Sequence, residues 1–304
     1  MRLIEFVTLI LLLTAASASG QAQSSSEKDL SVQNATGLRL VAAGDSVQPK
    51  LRIILPGHPT SDSAIEVFFP EHVTALKSGA SVAEHLYLST SATAADRPRW
   101  RRVGRSLEYE RDLPHEMHFL ARAILESDGV RFHYEFFNRS SVAYQMIYAV
   151  TDPRMTSVFH DVRLERTYVH HANGFDLLAS ETPSRLTMPL DQWGPARYLA
   201  SFTWPIPARL VERRDDGITY CNKSRAVDQP FIATLSKDGA WVVASFTRET
   251  GNVWSNPELT CQHVDPQTSL LPGQHVTLEV KILILHGSLE DALQRAIRQR
   301  ESLK

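Results

Sequence analysis

Short apolar runs separated by turn residues recur along this 304-residue chain from Leu38 onward, and this pattern most restricts the possible folds. Repeated short runs of this kind are typical of all-β proteins. The candidate strands of the first part are Leu38–Ala42, Lys50–Leu55, Ala64–Phe69, Glu84–Leu88 and Ser106–Arg111.

The clearest unit is a hairpin whose arms, Met117–Glu126 and Val130–Asn138, flank Asp128-Gly129. Asp-Gly favours a tight turn because both residues tolerate positive φ. Side chains along the second arm alternate between two faces. We therefore expect its apolar side chains to be buried and its polar ones to face solvent or a ligand groove. The apolar set is Phe132, Tyr134 and Phe136, and the polar set is Arg131, His133 and Glu135.

The C-terminal part repeats this pattern and then changes to a helical one. A second hairpin pairs Phe231–Ser236 with Trp241–Phe246, and Val276–Leu285 forms a last strand. Ser288 is a good N-cap for a helix over residues 288–302, whose apolar residues share one face. These features predict a large antiparallel β-sandwich with a C-terminal helix packed on it.

The N-terminus predicts export. Arg2 precedes an apolar run from Phe6 to Ala16, and small residues follow it, as in a cleaved signal peptide over residues 1–22. A membrane anchor is the alternative, but a span needs about 20 apolar residues. We expect a flexible lead-in over residues 23–36, a single domain over residues 37–304, and a secreted or periplasmic protein without membrane attachment once the signal is removed.

Composition and motifs exclude several functions. The net charge of −2 lacks the basic excess of a nucleic-acid-binding protein. The chain has no Gly-x-Ser-x-Gly elbow, phosphate-binding glycine loop or His-Glu-x-x-His motif, so we predict no cofactor and no metal. Cys221 and Cys261 could form a disulfide in an oxidising compartment or remain buried thiols, and we predict that they are close enough to bridge. Nothing in the sequence sets the oligomeric state.

Two segments concentrate polar and aromatic residues. The segment from Asp152 to Trp204 has few clean strand patterns, and a second one follows Val253. In the second, His263 and Asp265 are two positions apart, so an extended backbone places both on one side. That spacing suits an acid/base pair, a histidine held by a carboxylate, or two metal ligands; a purely structural hydrogen bond is the alternative. The candidate catalytic residues are His263, Asp265, Asp228 and His170.

A carbohydrate is the best-supported ligand. Sugar sites need flat aromatic rings and polar side chains that bind hydroxyl groups, and the same two segments supply both. The candidate ligand-binding residues are Arg166, Trp193, Arg197, Trp204, Trp254 and Asn256. We expect His263 and Asp265 to lie beside at least one of these tryptophans, with Arg166 or Arg197 within reach of the same cavity. Replacement of His263 by alanine should abolish turnover and leave the fold intact.

The order of elements resembles the galactose-mutarotase-like super-sandwich of sugar epimerases and of accessory domains in polysaccharide-degrading enzymes. The ending Leu270-Leu271-Pro272-Gly273-Gln274, followed by a long strand and Gly287, is similar to that group. The resemblance covers residues 38 to 286 and implies the architecture. The catalytic histidine and glutamate motifs of the epimerases are not matched, so it does not imply their activity.

The sequence thus predicts an exported carbohydrate-active protein that binds a small sugar or an oligosaccharide. If the protein is an enzyme, we expect acid/base chemistry on a sugar, with His263 or a nearby carboxylate transferring the proton. The alternative is a non-catalytic carbohydrate-binding or cell-envelope interaction module. Fold alone does not decide between an enzyme and a binding module.

Overall fold

The structure, a computed structural model, describes residues 30–44, 46–58, 65–178, 227–256 and 259–304. It also describes the backbone of three strands at residues 196–201, 211–213 and 219–222. The predicted signal peptide lies outside these residues. Within the described part, no helix has the length and apolar character that crossing a membrane requires.

Strands make up most of the described chain, and one α-helix follows them. In chain order the strands are β1 (Ser31–Gln33), β2 (Arg39–Ala42), β3 (Lys50–Ile54), β4 (Ile65–Phe68), β5 (His72–Lys77), β6 (Glu84–Leu88), β7 (Arg101–Val103), β8 (Ser106–Leu113), β9 (Met117–Glu126), β10 (Gly129–Asn138), β11 (Tyr144–Ala149), β12 (Asp152–Met155), β13 (Thr167–His171), β14 (Gly174–Leu177), β15 (Ala196–Ser201), β16 (Val211–Arg213), β17 (Thr219–Asn222), β18 (Phe231–Leu235), β19 (Trp241–Thr247), β20 (Asn252–Ser255), β21 (Thr268–Leu270) and β22 (His275–His286). Helix α1 spans Leu289–Arg300.

The strands form four sheets. A nine-stranded antiparallel sheet has the order β14-β13-β18-β19-β22-β10-β9-β8-β7, and a five-stranded sheet has the order β1-β2-β3-β4-β12. Two four-stranded sheets follow the orders β21-β11-β5-β6 and β16-β17-β15-β20. In the last sheet β15 and β17 are parallel; the other pairings are antiparallel. The predicted all-β, antiparallel fold is therefore confirmed.

The hairpin of β9 and β10 lies beside β22, the central strand of the nine-stranded sheet, and follows the predicted alternation. Phe132, Tyr134 and Phe136 are fully buried, while the polar residues between them stay partly exposed. Gly129 adopts φ +156° at the tight turn, where an added Cβ would lie 1.9 Å from the carbonyl oxygen of Ile282 on β22. The turn thus requires glycine because β22 passes directly against it.

One hydrophobic cluster joins the sheets. It combines the inner face of the nine-stranded sheet with buried side chains of the five-stranded sheet and of the sheet that contains β5 and β11. Phe69, just after β4, packs against Phe132 and Tyr134 with ring centroids 4.9 and 4.7 Å apart. Its carbonyl oxygen accepts a hydrogen bond from the Tyr109 hydroxyl (2.8 Å). These contacts hold the layers of the sandwich face to face.

Helix α1 covers the opposite face of the nine-stranded sheet, as predicted. Ser288 caps it: the Ser288 hydroxyl accepts a hydrogen bond from the Asp291 main chain, and the Asp291 carboxylate accepts one from the Ser288 main chain. Ala292, Leu293 and Ala296 are buried against β18, β19 and β22. The helix therefore rests on three adjacent strands of the sheet, the third to the fifth of nine.

The prediction of a flexible lead-in over residues 23–36 needs a correction. Residues Ser31–Gln33 form β1 and pair with β2. Asn34, only 9% exposed, donates from its side chain to the Glu126 carbonyl oxygen (2.7 Å). Main-chain pairing and this buried amide order residues 31–34, although their polar composition gives no strand signal.

Candidate functional site

Residues 261–263 form a short extended segment between two sheets. On one side, Arg154 of β12 opposes Cys261, and the Gln262 N–H donates to the Pro153 carbonyl oxygen (3.2 Å). Because β12 is an edge strand of the five-stranded sheet, this pairing extends that sheet by one short segment.

The other side of the same segment pairs with β20. Trp254 and His263 exchange two main-chain hydrogen bonds of 3.2 and 3.0 Å. β20 is an edge strand of the sheet β16-β17-β15-β20. Residues 261–263 therefore connect the edges of two different sheets.

The Gln262 side chain anchors this segment to the nine-stranded sheet. Its amide nitrogen donates to the Thr234 hydroxyl (2.9 Å) and the Val243 carbonyl oxygen (3.2 Å). Its amide oxygen accepts a hydrogen bond from the Ser245 hydroxyl (2.8 Å). All three partners lie on β18 and β19, so Gln262 points towards the sandwich interior.

Alternation places the neighbours of Gln262 on the other side of the segment. The antiparallel register that sets Arg154 opposite Cys261 also brings Asp152 beside His263. We call this surface the junction face; its residues are Asp152, Arg154, Trp254, Cys261 and His263.

His263 lies at the centre of the junction face and contacts two carboxylates. Its Nε2 is 3.3 Å from Asp152 Oδ1, and its Nδ1 is 3.3 Å from Asp265 Oδ2. The Trp254 ring stacks on the imidazole, with centroids 3.8 Å apart and planes 6° apart. His263 is 1% exposed, whereas Trp254 is partly exposed. The predicted proximity of His263, Asp265 and a tryptophan is therefore found at Trp254.

The charges of this cluster shift one another's protonation. Burial opposes a charged imidazole, but the nearby Cys261 and the contacts with Asp152 and Asp265 outweigh it and raise the pKa of His263 well above its usual value. Burial also opposes a charged Asp152, but His263 and Arg154 outweigh it and lower the pKa of this carboxyl. At Asp265, burial prevails over His263 and raises the pKa. The cluster therefore favours an imidazolium beside the Asp152 carboxylate.

Arg154 forms the partly exposed rim of the junction face. Its Nε donates to Asp152 Oδ2 (2.6 Å), and a terminal nitrogen donates to Glu71 Oε1 (3.2 Å). The guanidinium also lies over the Phe68 ring, 4.2 Å from its centroid. With 26% of its side chain exposed, Arg154 presents a positive charge at the surface while fixing the Asp152 carboxylate.

Asp265 ties the junction face to the centre of the nine-stranded sheet. Its Oδ1 accepts a hydrogen bond from the Thr151 main-chain N–H (3.0 Å). The Thr151 hydroxyl is 2.9 Å from the hydroxyl of Tyr134, which is fully buried on β10. His263 is thus oriented through Asp265 by residues that are part of the core.

Cys261 is a free, buried thiol in the structure, and its predicted proximity to Cys221 stays a prediction. Its Sγ accepts a hydrogen bond from the Asn256 main-chain N–H (3.1 Å). Asn256 is 8% exposed, and its Oδ1 is buried without a hydrogen-bond partner among the described residues. The sulfur instead points into the polar cluster of the junction face. The Cys221 side chain lies outside the described residues.

Arg166, a predicted ligand-binding residue, stabilises a loop. Its guanidinium donates to the carbonyl oxygens of Leu235 and His160, both at 2.6 Å. Its main-chain N–H donates to Asp161 Oδ2 (2.7 Å), and the Asp161 N–H donates to the Thr260 hydroxyl (2.8 Å). Arg166 therefore supports the segment that precedes Cys261.

His170 and Asp228 form a separate pair. His170 Nδ1 is 2.8 Å from Asp228 Oδ1, and the ring packs edge-on against Phe175 at 5.0 Å. Phe175 in turn contacts Phe231, which belongs to the cluster under α1. His170 thus lies on the helix-covered face of the nine-stranded sheet.

His263 lies on the opposite face. Thr167, three positions before His170 on β13, bonds through its hydroxyl to Thr234, the residue that also contacts Gln262. Residues an odd number apart on a strand point to opposite faces. His170 and Asp228 therefore do not converge with His263, which separates the predicted catalytic set into two pairs.

The remaining predicted residues fall where side chains are not described. Trp193 and Trp204 lie outside the described residues. Arg197 belongs to β15, of which the structure gives the backbone. Their predicted roles in ligand binding stay predictions.

Sequence reasoning missed Asp152 and Arg154 as site residues. Both lie on β12, which the polar composition of that segment does not indicate. Their i, i+2 spacing is the same signal that identified His263 and Asp265. The pairing of β12 with residues 261–263 joins distant segments, so no local sequence pattern indicates it.

Comparison with protein-family models and with curated proteins gives no match. Among solved structures, a galactose mutarotase related enzyme from Lactobacillus acidophilus aligns with a TM-score of 0.47 and 10% identity, over 86% of this chain and 98% of that chain. A putative aldose 1-epimerase from Escherichia coli K12 aligns with a TM-score of 0.44 and 10% identity, over 85% and 99%. A GalM/aldose epimerase homologue from C. elegans aligns with a TM-score of 0.44 and 11% identity, over 85% and 98%. These galactose mutarotase and aldose epimerase relatives are among the solved structures to which this chain is similar.

Proposed function

We propose that this protein is exported and binds a carbohydrate on the junction face, with Trp254 as the stacking platform. The observation that carries the proposal is the parallel stack of Trp254 on His263 (3.8 Å) beside the charged side chains of Asp152 and Arg154. A sugar ring needs one flat apolar surface for its C–H face and charged or amide groups for its hydroxyls.

The geometry suits a ligand of one or two sugar rings. Arg154 and Trp254 flank the segment 261–263 on either side and oppose positions two residues apart, so roughly 12 Å separates their backbones. Both side chains are partly exposed. His263 supports the indole from behind, and Asp152 and Glu71 hold the guanidinium. Side chains that are held in place before binding lose little entropy when a ligand arrives.

Acid/base chemistry on the sugar is the second candidate function. It is favoured by the contacts of His263 with Asp152 and Asp265, which join a proton-transfer group to two carboxylates. Because His263 is 1% exposed, a ligand on the junction face would meet Trp254 and Arg154 before it reached the imidazole. Because the imidazole is buried, carbohydrate binding is the leading proposal and catalysis the second.

The carbohydrate proposal is tested by screening the purified protein against an oligosaccharide panel, scoring both binding and new reducing ends. Trp254→Ala should abolish binding, whereas Trp241→Ala, at the far end of β19, should leave it unchanged. No binding by wild type, or equal binding by Trp254→Ala, would overturn the proposal. New reducing ends would favour the second candidate.

The export half of the proposal is supported by the basic and apolar N-terminal sequence. Expression of the full chain in a secreting host should yield a mature protein that has lost about 20 residues, the length of a signal peptide. Mass spectrometry of the intact protein measures this directly. Recovery of an uncleaved chain from the cytoplasm would contradict it.

A further inference from the structure

We propose that Asp152, Cys261 and His263 bind a zinc ion on the junction face. Each offers one donor atom, a carboxylate oxygen, a thiol sulfur and an imidazole nitrogen, and these atoms lie within 4.8 Å of one another. All three residues are at most 1% exposed. No local sequence motif indicates this site, because its donors come from two segments far apart in the chain.

The separation of two donor atoms matches zinc coordination. Zn²⁺ binds nitrogen and oxygen ligands at about 2.0–2.2 Å, so two ligands at the tetrahedral angle lie about 3.3–3.6 Å apart. His263 Nε2 and Asp152 Oδ1 are 3.3 Å apart. Asp152 Oδ1 is buried, and although it contacts His263 Nε2 it makes no hydrogen bond within the described residues. A shared cation would account for a buried carboxylate oxygen in this position.

The atoms around the three ligands also fit a metal centre. Histidine ligands usually donate their second ring N–H to a carboxylate or carbonyl, which fixes the ring. His263 Nδ1 faces Asp265 Oδ2 at 3.3 Å, and Arg154 holds the second oxygen of Asp152 at 2.6 Å. Each ligand side chain is therefore oriented by a second contact.

Cys261 supplies the third ligand, and its sulfur indicates which metal the site would bind. Its Sγ accepts a hydrogen bond from the Asn256 main-chain N–H (3.1 Å), a contact that stabilises a thiolate. Thiolate and imidazole ligands favour zinc over magnesium and calcium, which prefer oxygen donors alone. A burial this deep also protects the thiol from oxidation in an exported protein.

Three protein ligands leave the fourth tetrahedral position for a water molecule, as in catalytic zinc sites. Asn256 Oδ1, next to Cys261, is buried without a hydrogen-bond partner among the residues described. A zinc-bound water could donate to such an acceptor. One hydrated ion would thus contact both Asp152 Oδ1 and Asn256 Oδ1, two buried oxygens that make no hydrogen bond within the described residues.

The test uses the full protein without a polyhistidine tag, stripped with a chelator and reloaded with one metal at a time. We expect one equivalent of Zn²⁺ by elemental analysis after desalting, and a rise in the unfolding temperature, because an ion that binds only the folded state stabilises it. The Co²⁺ form should show the near-ultraviolet thiolate-to-cobalt charge-transfer band. Cys261→Ser should abolish that band, and Asp265→Asn should weaken zinc binding about 10- to 100-fold.

The matched control is His170→Gln, which changes the histidine–aspartate pair on the other sheet face and should leave stoichiometry and spectrum unchanged. Substoichiometric zinc in the wild type, a cobalt spectrum without the thiolate band, or a band that survives in Cys261→Ser would each overturn the proposal, leaving an ordinary ion-pair cluster. The wild-type measurements decide the question even if a variant fails to fold. None of these readouts involves a sugar, so they are independent of the proposed function.

Discussion

Replacing His263 by alanine should destabilise the protein strongly in the metal-free state. The change removes the cation between two buried carboxylates, Asp152 and Asp265, together with the ring that stacks on Trp254. Removing one partner of a buried ion pair costs about 3–5 kcal/mol, because the other charge stays buried without compensation. Burial raises the pKa of Asp265, whereas His263 and Arg154 lower the pKa of Asp152, so the larger part of the penalty falls on Asp152. We therefore expect the free energy of unfolding to fall by about 3–5 kcal/mol.

The assay is denaturant unfolding at neutral pH with a chelator present throughout, comparing wild type with His263→Ala. His170→Ala is the matched control: its pair with Asp228 is partly exposed, with side chains 19% and 35% accessible, and such pairs contribute at most about 1 kcal/mol. Equal, small losses in both variants would refute the reasoning from burial. They would instead agree with the expectation from sequence alone, in which a loop imidazole contributes little to the core.

Two further predictions concern the hairpin of β9 and β10. Gly129→Ala should lower the free energy of unfolding by at least about 3 kcal/mol, because the added Cβ meets the Ile282 carbonyl oxygen at 1.9 Å. Gly239→Ala, at φ +71° with open space around the added Cβ, should lower it by about 1–2 kcal/mol in the same denaturant assay. Similar losses in the two variants would contradict the steric argument. Burial opposes a charged Asp128, but the hydrogen bonds from Lys281 and Gln299 outweigh burial and lower the pKa of this carboxyl. The stabilisation that Asp128 contributes is therefore complete above its pKa in the unfolded chain, about 4, and is lost as the pH falls through its lower pKa in the folded protein. Asp128→Asn, which keeps a turn-forming residue, should make the unfolding midpoint depend less on pH below about 4; an unchanged acid dependence would contradict this assignment.

The elements predicted from the sequence are those whose signals are local. The Asp128-Gly129 turn and the alternation of Phe132 and Tyr134 fall within a few residues of one another, so one hairpin could be predicted in full. The C-terminal helix was predicted for the same reason, since Ser288 caps it directly. Local propensity and packing agree at these positions.

The candidate site was predicted only in part, because its other half lies far away in the chain. His263, Asp265 and Trp254 lie within one short segment, and the structure brings them together. Asp152 joins them through pairing between distant segments, which no local pattern specifies.

The connection of two sheet edges through residues 261–263 has a consequence for the order of folding. The hydrogen bond from Thr151 to Asp265 joins positions 114 residues apart, so the chain must close a long loop before this contact can form. Contacts of large sequence separation are slow to form. We expect the hairpin of β9 and β10 to assemble first and the junction to close last, so that amide hydrogens of residues 261–263 exchange before those of β10. A ligand or ion bound at the junction would then slow the separation of the two sheet edges without contacting the central strands.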